Sequence, residues 1–187
     1  MLPPDGAVGA FTEVGPFLKI CQLVIGNLEC PLTDRGSPTK NFVEGVSYIF
    51  RTPPAYAERL RESCFTVMSL ANNHAYDYGP AGYSQTREVL EKAGLLHTGA
   101  PGQVAYQKVG RTTVAVIGLA PNSGCQDLND VEAAALVRQV AAQDKTLVVV
   151  VFHGGAEGAD RTLVLTSLEY FLGDLRRSAR PPGRRPL

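Results

Sequence analysis

Short apolar segments alternate with amphipathic segments along most of the chain. The apolar runs predict four strands, at residues 22–26, 65–70, 112–119 and 146–152. The last run contains four consecutive valines, which is typical of a strand buried on both faces. Helical patterns predict three helices, at residues 54–63, 80–93 and 130–142. Strands that alternate with helices in this way predict an α/β fold built in layers.

The length and the charge distribution of the chain predict one folded domain with a basic tail. A chain of 187 residues is the size of one domain. The five arginines of residues 176–187 leave 13 basic against 18 acidic residues in the rest. We therefore expect a folded body at residues 1–175 with no affinity for nucleic acid, and an Arg/Pro-rich disordered tail at residues 176–187. We see no apolar run long enough for a membrane segment and no signal peptide, so we expect a cytoplasmic location for the chain as written.

Three polar clusters follow predicted strands at their carboxyl ends. They are Asn27-Leu28-Glu29, Asn72-Asn73-His74 with Asp77, and His153-Gly154-Gly155 with Glu157. In open α/β sheets, ligands bind outside the carboxyl ends of the strands. The three clusters are therefore predicted to converge on one site.

The donor types in these clusters indicate a pair of divalent metal ions. Carboxylate, amide oxygen and imidazole together suit Mn, Fe or Zn better than Ca or Mg. We expect Glu29, Asn73 and His153 to be metal ligands. His74 would act on the substrate as an acid or electrostatic stabiliser, with Asp77 orienting its ring. A metal pair of this kind clamps the attacking and leaving oxygens of a phosphoryl displacement.

Two further residues are candidates for substrate contact. Glu157 follows the last polar cluster, and Tyr78 flanks the Asn-His loop, as Tyr76 does. Each tyrosine could stack on a substrate or simply pack against the protein.

The motifs of this chain resemble those of the CapA family. The similarity lies in residues 27–33 (NLECPLT), 69–79 (SLANNHAYDYG) and 153–157 (HGGAE), and it extends over roughly residues 11–175. The resemblance implies a role in synthesis of poly-gamma-glutamate capsule. It also implies a fold like that of the calcineurin-like metallophosphoesterases, a layered β-sandwich flanked by helices. In that comparison Asn73 and His74 match the Asn-His pair of those enzymes, and His153 matches a metal-binding histidine.

The chain departs from the family pattern near both ends. Family members open with a strand that ends in Gly-Asp, and later carry a Gly-His-x-Pro-His-like motif; neither is present here. We therefore expect an incomplete domain truncated at both ends, either by a frameshifted gene end or as a genuine short variant. With these ligands missing, we expect weak or absent metal binding and impaired two-metal hydrolase chemistry.

Three functions remain open at this point. The first is a metal-dependent hydrolase acting on a phosphoester or on poly-gamma-glutamate. The second is a non-enzymatic accessory subunit that binds the polymer or the capsule synthase subunits. The third is an inert gene fragment. For full-length relatives, the resemblance implies a membrane anchor or export.

Overall fold

The computed structural model describes residues 9–44, 47–127 and 131–154. Its elements in chain order are α1 (Gly15–Lys19), β1 (Ile25–Asn27), α2 (Tyr56–Glu62), β2 (Val67–Ser69), α3 (Gly79–Lys92), β3 (Leu96–Thr98), β4 (Ala105–Val109), β5 (Thr112–Leu119), α4 (Val131–Ala141) and β6 (Thr146–Phe152). The α/β class predicted from the sequence is confirmed. The predicted domain boundary at residues 175 and 176 lies outside the described residues.

The strands form two three-stranded sheets. The first sheet has the order β1-β2-β3 and is parallel throughout, with Val67 opposite both Ile25 and Leu96. The second has the order β4-β5-β6. In it, β4 and β5 are antiparallel and β5 and β6 are parallel. The carboxyl ends of the parallel strands therefore define one edge in each sheet.

Side-chain alternation along the strands sorts the core into layers. Val67 of β2 packs between the sheets in one cluster with Val114 and Val116 of β5. The neighbouring β5 residues Ala115 and Ile117 point to the opposite face, since successive side chains of a strand alternate. There they pack against the buried face of α4.

The outer face of the first sheet is covered in the same way. Met68 packs in one cluster with Ala57 of α2 and with Tyr83 and Leu90 of α3. The result is a helix–sheet–sheet–helix arrangement, the layered sandwich flanked by helices that the resemblance implied.

The sheets approach closely near the carboxyl ends of their central strands. A Cβ atom added at Gly118 of β5 would lie 2.8 Å from Ser69 Oγ and 3.3 Å from both Ala71 Cβ and Thr98 Cγ2. A contact of 2.8 Å is shorter than carbon and oxygen atoms tolerate without displacement. A side chain at this position would therefore displace Ser69 and crowd Ala71 and Thr98, so the facing sheet favours glycine.

Three elements were not predicted, and two strands are shorter than predicted. The unpredicted elements are α1, β3 and β4. The strand predicted at residues 22–26 forms as Ile25–Asn27, and the one predicted at residues 65–70 forms as Val67–Ser69. Strand β3 has only three residues, directly after the end of α3, which is too short for a periodic signal.

No helix in the described part of the chain combines the length and apolar character needed to cross a membrane.

Candidate functional site at the carboxyl edge

The polar clusters follow strands whose carboxyl ends meet at the edge of the sandwich. Leu28 N donates to Ser69 O at 2.9 Å, which keeps the chain after β1 beside the end of β2. His153 N donates to Leu119 O at 2.9 Å, so the chain after β6 leaves beside the end of β5. The two sheets thus present their strand-end loops to the same region.

Glu29 and His153 meet across the two sheets. Glu29 Oε2 lies 3.5 Å from His153 Nδ1, and both side chains are partly exposed. The Asn27 side-chain amide donates to the same carboxylate oxygen. Two of the three predicted metal ligands are therefore in contact, although they come from different sheets.

Asn72 is a buried connector between the first two strands of the parallel sheet. Its Nδ2 donates to Asn27 Oδ1 at 3.1 Å and to Leu28 O at 2.8 Å. Its Oδ1 accepts a hydrogen bond from His74 N at 3.0 Å. The side chain of Asn72 is thus used in holding the loop that carries Asn73 and His74. Sequence reasoning placed Asn72 in the cluster but assigned it no role.

Asn73 differs from its neighbour. Its Oδ1 is buried and has no hydrogen-bond partner. A buried carbonyl oxygen without a donor costs free energy unless some group satisfies it. Asn73 therefore presents at this edge a buried oxygen that is available to a ligand.

His74 and Asp77 form a buried pair. His74 Nδ1 lies 2.7 Å from Asp77 Oδ2, and the Asp77 side chain is 0% exposed. Phe50 N also donates to Asp77 Oδ2, at 2.8 Å. The Phe50 ring covers the imidazole, with 4.2 Å between the ring centroids. The pair has the geometry expected of a carboxylate that orients a histidine, and the catalytic role assigned to both residues stays a prediction.

Lys40 is a site residue that the sequence did not reveal. Its Nζ lies 2.6 Å from Asp77 Oδ1 and donates to Asn73 O at 2.8 Å. Lys40 belongs to a polar stretch with Gly36 and Pro38, and such a stretch indicates only a surface loop. Nothing in the pattern around it signals a buried partner.

The two predicted substrate-contact residues have different outcomes. The Arg51 guanidinium lies over the ring of Tyr78, with its Cζ 4.8 Å from the ring centroid. A cation over this ring leaves one face less accessible to a substrate. Tyr76 instead stacks on Tyr83, with 4.3 Å between centroids. Glu157 lies outside the described residues.

Burial raises the pKa of three groups around the Asn-His loop. It raises the pKa of Tyr83, the pKa of Tyr76 and the pKa of the Cys125 thiol, mainly because each ionised form would lose its hydration. Cys125 Sγ donates to Asn72 O at 3.8 Å. These groups remain neutral near pH 7 and pack around the loop without adding charge to it.

Few side chains at this edge are free to act as metal ligands. In the described part of the chain, no group of three or more His, Cys, Asp or Glu side chains is placed to hold a metal ion. Asp77 is engaged by Lys40 and His74, so it is not free to coordinate. What remains is the contact pair of Glu29 and His153, with the unsatisfied amide oxygen of Asn73.

These layers and this edge define an α/β domain of two sheets flanked by helices, which is consistent with an incomplete metallophosphatase-like domain. A family model described as bacterial capsule synthesis protein PGA_cap matches residues 5–163. The chain belongs to this capsule synthesis family, and the resemblance noted from the motifs is confirmed.

Two curated proteins illustrate the relationship. The chain is 33% identical over 127 residues to the PGA biosynthesis protein CapA of Bacillus subtilis (strain 168), a match that covers 64% of this chain and 32% of that protein. It is 33% identical over 117 residues to the capsule biosynthesis protein CapA of Bacillus anthracis, covering 58% of this chain and 28% of that protein. The matched region therefore spans about a third of the length of these relatives.

Proposed function

We propose that this chain is a metallophosphatase-fold component of poly-gamma-glutamate capsule synthesis. The names of the two CapA relatives support the association with capsule polymer. The observation that carries the chemical part is the buried His74–Asp77 pair beside Asn73, whose amide oxygen is unsatisfied. An amide oxygen that can bind a metal ion or substrate, next to an imidazole held in a fixed orientation, is an arrangement suited to hydrolysis.

His74 is the residue proposed to act on the substrate. A carboxylate can only accept hydrogen bonds, so the hydrogen in the contact with Asp77 sits on His74 Nδ1. This tautomer leaves Nε2 to take a proton in the neutral ring, or to give one in the charged ring. Asp77 fixes the ring plane, and Phe50 covers one ring face. His74 therefore serves as acid or stabiliser toward the leaving or bridging oxygen.

Glu29, Asn73 and His153 are the residues proposed to hold a divalent ion, of which Mn, Fe or Zn suits these donors. When bound, the ion supplies Lewis-acid polarisation of a phosphoryl oxygen and a more acidic bound water. One carboxylate, one imidazole and one amide oxygen make about one open site of three protein ligands. We therefore expect at most one loosely held ion and impaired two-metal chemistry.

The metal stoichiometry tests this function. The purified chain would be titrated with Mn²⁺, with free Mn²⁺ measured by electron paramagnetic resonance, and then assayed on bis(p-nitrophenyl) phosphate. We expect one weak site and slow hydrolysis that needs the metal. Two tightly retained ions would show that ligands outside this set complete the site. Hydrolysis of a gamma-glutamyl oligomer but not of the phosphodiester would assign the reaction to amide bonds.

A second candidate function is supported by exposed aromatic residues beside the site. Phe42 is 64% exposed and Tyr48 49% exposed, and Tyr48 stacks on Phe50, which in turn covers His74. A strip of rings beside a polar edge suits binding of an extended polymer by an accessory subunit of the capsule synthase. Poly-gamma-glutamate binding by calorimetry, compared between the natural chain and the F42A/Y48A variant, tests it. Binding without hydrolysis would favour this function over the first.

A further inference from the structure

Lys40 reaches the candidate site from a loop that lies far from it in sequence. The loop follows β1 and is fastened to the Asn-His segment by its backbone, since Thr39 N donates to Asp77 O at 2.9 Å. The Lys40 side chain is 36% exposed, whereas that of Asp77 is 0% exposed. The ammonium thus stands between solvent and a fully buried carboxylate.

The buried carboxylate of Asp77 needs such a partner. Removing an isolated carboxylate from water is costly unless it is paired and hydrogen-bonded. Asp77 Oδ2 faces His74 Nδ1 and Phe50 N. Asp77 Oδ1 faces the Lys40 ammonium at 2.6 Å. Both carboxylate oxygens therefore have partners, Oδ2 through hydrogen bonds and Oδ1 through the ion pair, and together these partners orient the carboxylate that His74 contacts.

Lys40 also holds the peptide that joins Asn73 to His74. Its Nζ donates to Asn73 O at 2.8 Å while contacting Asp77. One ammonium therefore bridges both ends of the segment: the carboxylate that orients the imidazole, and the backbone from which the imidazole projects.

We propose that Lys40 is a positioning residue for His74, acting through the Asp77 carboxylate and the Asn73 carbonyl. The expected effect of Lys40 on turnover rests on the proposed function of His74. The expected effect of Lys40 on the orientation of the imidazole does not rest on it, because ring orientation can be measured without any substrate.

The test compares K40M and K40R in the full chain, with K108M as the matched control. Lys108 is an exposed lysine of β4, on the other sheet. Two-dimensional ¹⁵N NMR at a fixed neutral pH would report the His74 tautomer, and hydrogen exchange would report the Phe50 amide. In K40M we expect the His74 imidazole ¹⁵N signals to shift and broaden, because the carboxylate that orients the ring is no longer held, and the Phe50 amide to exchange faster. K40R should retain both signals, since a guanidinium can still pair with the carboxylate, and K108M should leave them unchanged.

Measurements of folding and of hydrolysis distinguish failure of this proposal from failure of the proposed function. If K40M fails to fold, the K40M/D77N variant should restore the fold, because the unpaired buried charge is gone. Failure of both variants to fold would overturn the proposal, as would unchanged His74 imidazole signals in K40M. Where phosphodiester hydrolysis is measurable, K40M should lower it by about 10–100-fold. Altered His74 imidazole signals in a K40M chain, together with no hydrolysis by the natural chain, would support the positioning role of Lys40 and count against the hydrolase.

Discussion

The two sheets of this domain are built differently. Each described strand of the β1-β2-β3 sheet has three residues, whereas β4, β5 and β6 have 5, 8 and 7. The β4-β5-β6 sheet is held by a long backbone ladder between β5 and β6 and by aliphatic packing. The β1-β2-β3 sheet has little ladder, and the segments around it are tied by side chains.

Those side-chain ties are numerous around the parallel sheet. Thr86 Oγ1 accepts from Leu32 N at 3.0 Å, and Gln85 Oε1 accepts from Asp34 N at 3.0 Å. Asn72 bridges β1 to the loop after β2. A polar network that is satisfied specifies one geometry, while aliphatic packing supplies most of the free energy of burial. Both sheets bury an apolar face against helices, and the first sheet has in addition the side-chain network that holds the loops of the polar edge.

The largest expected effect is on metal affinity at the polar edge. Asn73→Ala and Glu29→Ala should each weaken Mn²⁺ binding by more than the roughly 10–100-fold typical of an outer-shell change, because each removes a direct ligand. His74→Ala should keep the affinity and instead lower any turnover by about 10²–10⁴-fold. Electron paramagnetic resonance of free Mn²⁺ measures the first quantity. If His74→Ala weakened Mn²⁺ binding as much as Asn73→Ala does, His74 would be a metal ligand and its assignment to the substrate would be wrong.

Truncation in the second sheet should cost stability without disturbing the site. Ile117 is 0% exposed and packs against α4. Ile117→Ala is expected to lower the free energy of unfolding by about 2–5 kcal/mol, through lost burial and a residual cavity. Urea denaturation measures it. Leu147→Ala, at a β6 position that is 56% exposed, is the control and should change stability far less.

Removing the Asn72 side chain from the first sheet should lower stability less than Ile117→Ala does, but it should disturb the Asn-His loop more. Asn72→Ala leaves Leu28 O, Asn27 Oδ1 and His74 N without their partner. We expect a loss of about 1–3 kcal/mol, the cost of unsatisfied buried groups. The His74 NMR signals should also broaden or move, which Ile117→Ala should not cause. If Asn72→Ala leaves these signals unchanged, the side-chain network does not hold the loop; exposed Asn41→Ala is the control.

The smallest effect is expected at the surface. Arg35 and Glu88 form an ion pair at 3.0 Å, with side chains 56% and 51% exposed. Glu88→Ala should lower stability by less than about 1 kcal/mol, and the difference should shrink further in high salt. Thermal unfolding at two salt concentrations measures it. A loss comparable to that of Asn72→Ala would mean that surface ties also hold the parallel sheet.

The second sheet was the easier one to predict from the sequence. Strands β5 and β6 form at the predicted residues 112–119 and 146–152, because long apolar runs leave no competing pattern. Strand β4 was missed because Tyr106, Gln107 and Lys108 interrupt its apolar positions. In the first sheet, the predicted strands around Ile25 and Val67 exist but are shorter, since three-residue pairing depends on tertiary contacts and not on a local period.

The candidate site was predictable to the extent that strand topology determines it. The expectation that strand-end clusters converge follows from parallel strands, and Glu29 does meet His153. The spacing of His74 and Asp77 likewise allowed their contact to be foreseen. Lys40 could not be found in this way, because its partners lie 33 and 37 residues further along and its loop has no regular period.

The glycine at position 118 sets a distance that no polar residue controls. Glu29 extends from one sheet and His153 from the other, so the gap between their side chains depends on how far apart the two backbones stand. That separation is limited by what fits between Gly118 and the small residues Ser69 and Ala71. The packing at Gly118 thus helps to set the distance between the two loops, and we expect a larger side chain at residue 118 to separate Glu29 from His153, which are now 3.5 Å apart, without touching either residue. The separation of Glu29 and His153 thus depends on a glycine in the core, which has no Cβ atom to hold the two sheets further apart.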